Sequence, residues 1–143
     1  MADFELIAST APTHNLPVTH GTDPQAEQFV EFYYKAFDSD RNSLAALYGH
    51  DSMLTFEASP SQGVGNIIQK LQELPFKQVQ HQVATLDAQP SDERGGILVV
   101  VSGALLVEEE RRPMSYAQTF QLKPRDGTYY VFNDVFRLVY PAA

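Results

Sequence analysis

The chain has 143 residues, 43% hydrophobic and 11% aromatic, with a net charge of −8 and no cysteine. That length and composition suit one domain with its own core and exclude wholesale disorder. Only 10 Lys and Arg are present, which argues against a phosphate-binding surface, and the missing cysteine removes disulfides, zinc–thiolate sites and thiol nucleophiles.

The opening MADFELIAST has no basic region followed by an apolar run, so no secretory leader is expected. The longest apolar runs fall far short of the ~20 residues of a membrane helix, so the chain reads as soluble and intracellular. Residues 9 to 25 carry three prolines, a glycine and two histidines without apolar period, which is loop composition. Ala26, Phe29, Val30, Tyr33 and Phe37 then recur at helical spacing, so a helix is expected to start near Asp23-Pro24. DSDRNSLAALYG reads as a short second helix with Leu44, Leu47 and Tyr48 inward and Gly49 as its stop. SMLTFE reads as a strand, followed by the turn-rich ASPSQG. In VGNIIQKLQELP, Ile67, Ile68, Leu71 and Leu74 share one face of a third helix ended by Pro75.

The remainder is β. VQHQVATLDAQP alternates with Val79, His81 and Val83 on one face. GGILVVVSGALLVEE reads as a long strand covered on both sides, EERRPM as a turn, SYAQTFQL as a return strand, PRDGT as a second turn and TYYVFNDVFRLVY as a last strand. Three helices followed by four long antiparallel strands predict an α+β domain. A strongly curved antiparallel sheet with the helices closing one face would enclose a cone-like apolar cavity. The sheet's other face would stay apolar, which suggests a homodimer packed sheet to sheet.

Four groups of residues are candidates for a site. Glu57 ends its strand either as a solvated acid or as a charge at a pocket mouth. His81 points inward, either as a hydrogen-bonded core residue or as the partner of a buried carboxylate; if it meets Glu57, each explains the other. Glu108 and Glu110 project together while Glu109 points away, either as a solubilising turn or as a rim. Phe56, Leu74, Phe76, Val79 and Phe136 are core by composition. No dinucleotide or P-loop glycine motif, zinc-binding H-E-x-x-H or G-x-S-x-G elbow occurs, and the histidines at 14, 20, 50 and 81 do not cluster. A Glu–His pair could serve acid–base catalysis or structure, and the sequence does not separate the two.

The strings FVEFYYKAFDSDR, LAALY, SMLTFE, LPFKQVQH, TLDAQP and YYVFNDVFRLVY resemble the fungal members of the nuclear transport factor 2 family, continuously from about Glu27 to Tyr140. The resemblance implies a homodimeric, non-enzymatic carrier without cofactor, found in cytoplasm and nucleus and enriched at the pore. Such a carrier binds the small GTPase Ran in its GDP form and phenylalanine-glycine repeats of nuclear-pore proteins. It also implies an acidic rim of Glu57, Glu108 and Glu110 with His81 nearby. Phe56, Leu74, Phe76, Val79 and Phe136 would line a cavity that takes an aromatic residue of Ran, Phe4 would serve repeat binding and Val135 the dimer contact. The pattern departs from the family at residues 9–26. Joining Ala8 to Glu27 restores it, so an N-terminal segment 1–26 with an insertion at about 9–26, genuine or a translated short intron, is expected ahead of a domain at 27–143. The alternative function is a small-molecule isomerase or dehydratase on the same cone-like fold, which needs a carboxylate or a His–Asp arrangement deep in the cavity.

Overall fold

The computed structural model describes residues 24–76, 78–108 and 112–140. Helix α1 spans Pro24–Ser39 and buries Ala26, Phe29, Val30, Tyr33, Tyr34 and Phe37. Proline suits its first position, where no intrahelical N–H bond is lost. Residues 24–26, the end of the expected insertion, form the first turn of this helix. Residues 9–23 and Phe4 lie outside the described residues.

A 3-10 helix, Arg41–Leu47, follows, and the Asp40 side chain caps it by accepting from the Asn42 N–H at 3.2 Å. It ends at Leu47 rather than Gly49, because Tyr48 is already extended and opens strand β1, Tyr48–Phe56. Gly49 serves close approach instead. A Cβ there would lie 3.1 Å from the Asp51 carboxylate and 3.2 Å from the Tyr130 ring.

The expected turn ASPSQG is mostly a strand, β2, Ser59–Gln62, which pairs antiparallel with β1 from Phe56↔Ser59 to Met53↔Gln62. The turn itself is only Glu57 and Ala58, with φ of 52° and 72°. Two residues of positive φ match the twist of a tight hairpin, but without glycine they carry backbone strain. Helix α2, Val64–Gln72, then buries Ile67 and Leu71. It stops at Gln72, three residues before Pro75.

Strands β3 (Val79–Pro90), β4 (Ile97–Val107), β5 (Met114–Arg125) and β6 (Thr128–Leu138) form an antiparallel run. Among the described residues the sheet has six strands in the order β2-β1-β6-β5-β4-β3. It is mixed rather than purely antiparallel, because β1 lies parallel to β6, with Thr55↔Val135 and Phe56↔Phe136. The α+β cone-like architecture expected from the sequence stands with that correction.

Curvature has a local cause. The β3–β4 register steps from Val83↔Gly103 to Thr85↔Ser102, so Ala84 is an extra residue that bends β3 and reverses its parity. Val79, His81 and Val83 face inward before the bulge; Leu86 and Ala88 do so after it. A Cβ on Gly103 would lie 2.0 Å from the Gln82 carbonyl oxygen, so only glycine lets the two strands approach at this bend. The helices cover the concave face, where Tyr33, Phe29, Phe120, Tyr116, Leu122 and Val131 are fully buried.

Among the described residues, nothing covers the convex face. Strand β4 alternates instead of being covered on both sides: Val99 and Val101 are buried and Val100 is 44% exposed. Val100 is in register with Thr119, and Thr119 with Val135, itself 45% exposed. An apolar row thus crosses the outside of the sheet.

Candidate functional site

Asp38, Asp40 and Arg41, at the corner between α1 and the 3-10 helix, organise one side of the candidate site. Asp38 accepts from the His81 backbone N–H at 2.9 Å and pairs with the imidazole Nδ1 at 2.7 Å. Asp40 caps the turn. Arg41 donates to the Leu71 carbonyl at 3.1 Å and to the Phe76 carbonyl, with its guanidinium 5.0 Å from the Phe37 ring centroid. Burial lowers the Arg41 pKa from its usual value, and the nearby Asp38 charge opposes that shift. The corner therefore ties down the end of α2, the loop beyond it and the start of β3.

His81 is enclosed by rings. Tyr34 stacks on it at 4.1 Å and 9°, while Phe37 and Tyr116 approach edge-on at 4.9 and 5.5 Å. Its side chain is only 2% exposed. The row of rings continues through Tyr116 to Phe136, stacked at 5.5 Å, and on to Phe56, stacked at 4.5 Å and 3°. Parallel pairing of Phe56 with Phe136 sets that last contact, since directly paired residues on one face lie side by side. Glu57 stands at this end of the row.

The anticipated meeting of Glu57 and His81 does not occur. Glu57 donates its backbone N–H to the Phe136 carbonyl at 3.0 Å, and its carboxylate accepts from the Leu138 backbone N–H. The carboxylate thus anchors the strained β1–β2 turn to the end of β6. His81 takes Asp38 instead, because β3 lies at the opposite edge of the sheet from β1.

At the His81 end, Asp38, Ser39, Gln78, Val79, Gln80, Leu106, Val107 and Glu108 line a cavity of about 550 Å³. Glu108 is exposed, and its backbone N–H donates to the Gln78 carbonyl at 3.1 Å. Of the expected cavity residues, Val79 lines this space. Phe56 and Phe136 belong to the ring row, and Leu74 and Phe76 are half-buried against the core. Glu110 lies outside the described residues.

A second polar group lies beneath the site. Asp134 is fully buried and accepts from Tyr48 Oη at 2.7 Å, Tyr33 Oη at 3.2 Å and Gln118 Nε2 at 2.7 Å. Gln118 Oε1 in turn accepts from Tyr34 Oη at 2.8 Å, which links this network to the ring on His81. Burial pushes the Asp134 carboxyl up to about 6 from an ordinary 3.8, against the lowering effect of the three donors. The folded chain therefore holds a proton on this group more readily than the unfolded chain. The stability it contributes is complete below the ordinary carboxylate range and is lost as pH rises through about 6. The displacement corresponds to about 3 kcal/mol. Asp134→Asn should not titrate, so the wild type is expected to lose about 2 kcal/mol of that relative to the variant between pH 4 and pH 7. Urea unfolding at the two pH values checks this, and a pH-independent difference contradicts it.

Sequence reasoning missed Asp38, Arg41 and Asp134. Signals existed for two of them. Asp38 puts an acid in the last turn of a helix, where the helix dipole disfavours it, and Asp134 shares the inward parity of Phe136 and Leu138.

Comparison with known proteins identifies a family. The nuclear transport factor 2 (NTF2) domain matches residues 25–138. A curated relative from Davidiella tassiana, named nuclear transport factor 2, is 76% identical over 118 residues, 82% of this chain and 94% of the relative. The Saccharomyces cerevisiae protein of that name is 51% identical over 117 residues, with the same coverage of both chains. A solved structure of nuclear transport factor 2 from Cryptosporidium parvum superposes with a TM-score of 0.78 at 36% identity, covering 87% of this chain and 99% of that one.

Proposed function

This chain belongs to the nuclear transport factor 2 family, and from that premise we propose that it is a homodimeric, non-enzymatic carrier of Ran in its GDP form, working in nuclear transport. The observation that carries the reading is the row of rings with carboxylates at both ends: Glu57 beside Phe56 and Phe136, and Asp38 and Glu108 beside His81 and Val79. The open cavity beside Val79 and Glu108, at one end of that row, is the proposed place for one inserted aromatic residue of the partner, worth about 1.5–3 kcal/mol when buried. Acids at the margins then select basic flanking residues and speed encounter, helped by the net charge of −8. Phe56, Leu74, Phe76, Val79 and Phe136 are the proposed apolar contacts; Glu57, Glu108 and Glu110 are the proposed rim, with His81 behind it.

Asp38 and His81 are the kind of pair that an isomerase or dehydratase on this fold would need. Three rings close around the imidazole, however, and its side chain is 2% exposed, which denies a substrate access to it. The arrangement suits a grip better than turnover.

The uncovered row of Val100, Thr119 and Val135 is the proposed sheet-to-sheet dimer contact. Repeat binding at the pore, with the enrichment there that would follow, rests on family membership and on Phe4; displacement of Phe4 by an insertion within residues 9–26 would weaken it. Immobilised protein is expected to retain GDP-loaded Ran and to let GTP-loaded Ran pass. Retention of neither form, or of both alike, would overturn the proposal.

A further inference from the structure

We propose that Asp38 is a positioning residue of the partner-binding site: by holding the imidazole and the backbone N–H of His81, it sets the start of β3 and, through that strand, the rim acid Glu108. The inference rests on the function proposed above and adds, to the marginal acid Asp38, a role in holding the geometry of the site.

Helix physics does not account for Asp38. It is the penultimate residue of α1, whose last turn carries no basic residue. A carboxylate there faces the negative end of the helix dipole. Both of its oxygens are instead committed to a single residue across the fold, at 2.9 and 2.7 Å. Charge-assisted bonds of that kind are roughly twice as strong as neutral ones.

The place of His81 in the sheet makes the contact consequential. Among the described residues, strand β3 is at the sheet edge, with β4 as its one neighbour. His81 is in register with Leu105 on that side, and its N–H goes to Asp38 on the other. An edge strand offers unpaired N–H groups, and Asp38 takes this one. Two residues earlier Val79 pairs with Val107, and the Gln78 carbonyl receives the Glu108 N–H at 3.1 Å. Glu108 thus hangs from the first residues of β3, whose other lateral support is the Asp38–His81 contact. Asp38, Val79 and Glu108 also line the same cavity of about 550 Å³, so a shift at the clamp is a shift at the site.

The contact also selects a tautomer. A carboxylate oxygen 2.7 Å from Nδ1 accepts a hydrogen, so Nδ1 carries the proton. Asp38→Asn removes the charge and can accept only one of the two bonds; the other survives only if its amide donates to Nδ1 and the ring moves its proton to Nε2, so the clamp is weakened and its tautomer changed.

The test uses the full chain and Ran loaded with GDP. Asp38→Asn and His81→Gln are each expected to weaken Ran binding about tenfold or more, and the double variant to lose no more than the worse single one. In the free protein, Asp38→Asn should speed amide exchange at Glu108 and at His81, and should change the His81 Nδ1 signal in a long-range proton–nitrogen spectrum. Wild-type affinity in Asp38→Asn, or losses that simply add in the double variant, would overturn the positioning role. So would unchanged exchange at Glu108. If the wild type itself fails to bind Ran, the parent proposal falls, and the exchange measurement still decides whether Asp38 positions Glu108.

Discussion

Glu57→Lys is expected to abolish binding of GDP-loaded Ran, a loss of at least about a hundredfold, while the dimer persists. Reversing a rim charge removes an attraction and presents a repulsion to the partner's basic flanks. The fold supplies a control. One oxygen of the Glu57 carboxylate holds the Leu138 N–H and so helps to pin a turn whose residues have φ of 52° and 72°. Glu57→Gln keeps an acceptor for that bond and removes only the charge, so it should lose about tenfold. Calorimetry on both variants separates the two contributions. A Gln variant that binds like the wild type would mean that Glu57 serves the turn and not the partner.

Val135→Glu is expected to turn the dimer into monomers. Val135 stands on the convex face in register with Thr119 of β5 and Thr55 of β1, and Thr119 is in register with Val100. The exposures of Val100 and Val135, 44% and 45%, leave an apolar row that a second sheet would cover. Two-fold symmetry places one new carboxylate from each chain in that contact. Burying an unpaired charge costs several kcal/mol, enough to weaken association by about a thousandfold or more. Sedimentation velocity at micromolar concentration should show a single monomer boundary, with the fold retained because position 135 faces outward. A persistent dimer would place the interface elsewhere.

Much of the fold was legible because periodicity carries it. The helical spacing of Phe29, Val30, Tyr33 and Phe37 and the alternation along β3 to β6 both reflect burial on one face. Strand β2 escaped because SPSQ has no strand-forming residues and its turn, Glu57-Ala58, lacks the glycine or asparagine that such turns favour. The parallel pairing of β1 with β6 escaped because alternation says which face a residue takes and not which strand lies beside it. Gly49 was misread as a helix stop, since close approach to Asp51 and Tyr130 needs the same residue as a cap does.

The site was legible residue by residue and not as pairs. His81 was placed inward correctly, but its partner lies on α1, 43 positions away, and no local pattern connects the two. Glu57 was read as a strand-end acid, either solvated or at a pocket mouth, and only the family resemblance pointed to a rim. Its engagement with Leu138 depends on the parallel strand pairing that the sequence could not show. The network around Asp134 was hidden for a related reason: its members come from α1, β1, β5 and β6.

The central claim is that a row of rings with acids at its ends grips Ran in one nucleotide state. Titration calorimetry of the dimer with Ran, loaded in turn with GDP and with GTP, tests it most directly. Saturable binding of the GDP form at one Ran per chain, with at least about tenfold weaker binding of the GTP form, is the expected result. Equal affinity for the two forms, or no heat from either, would contradict it.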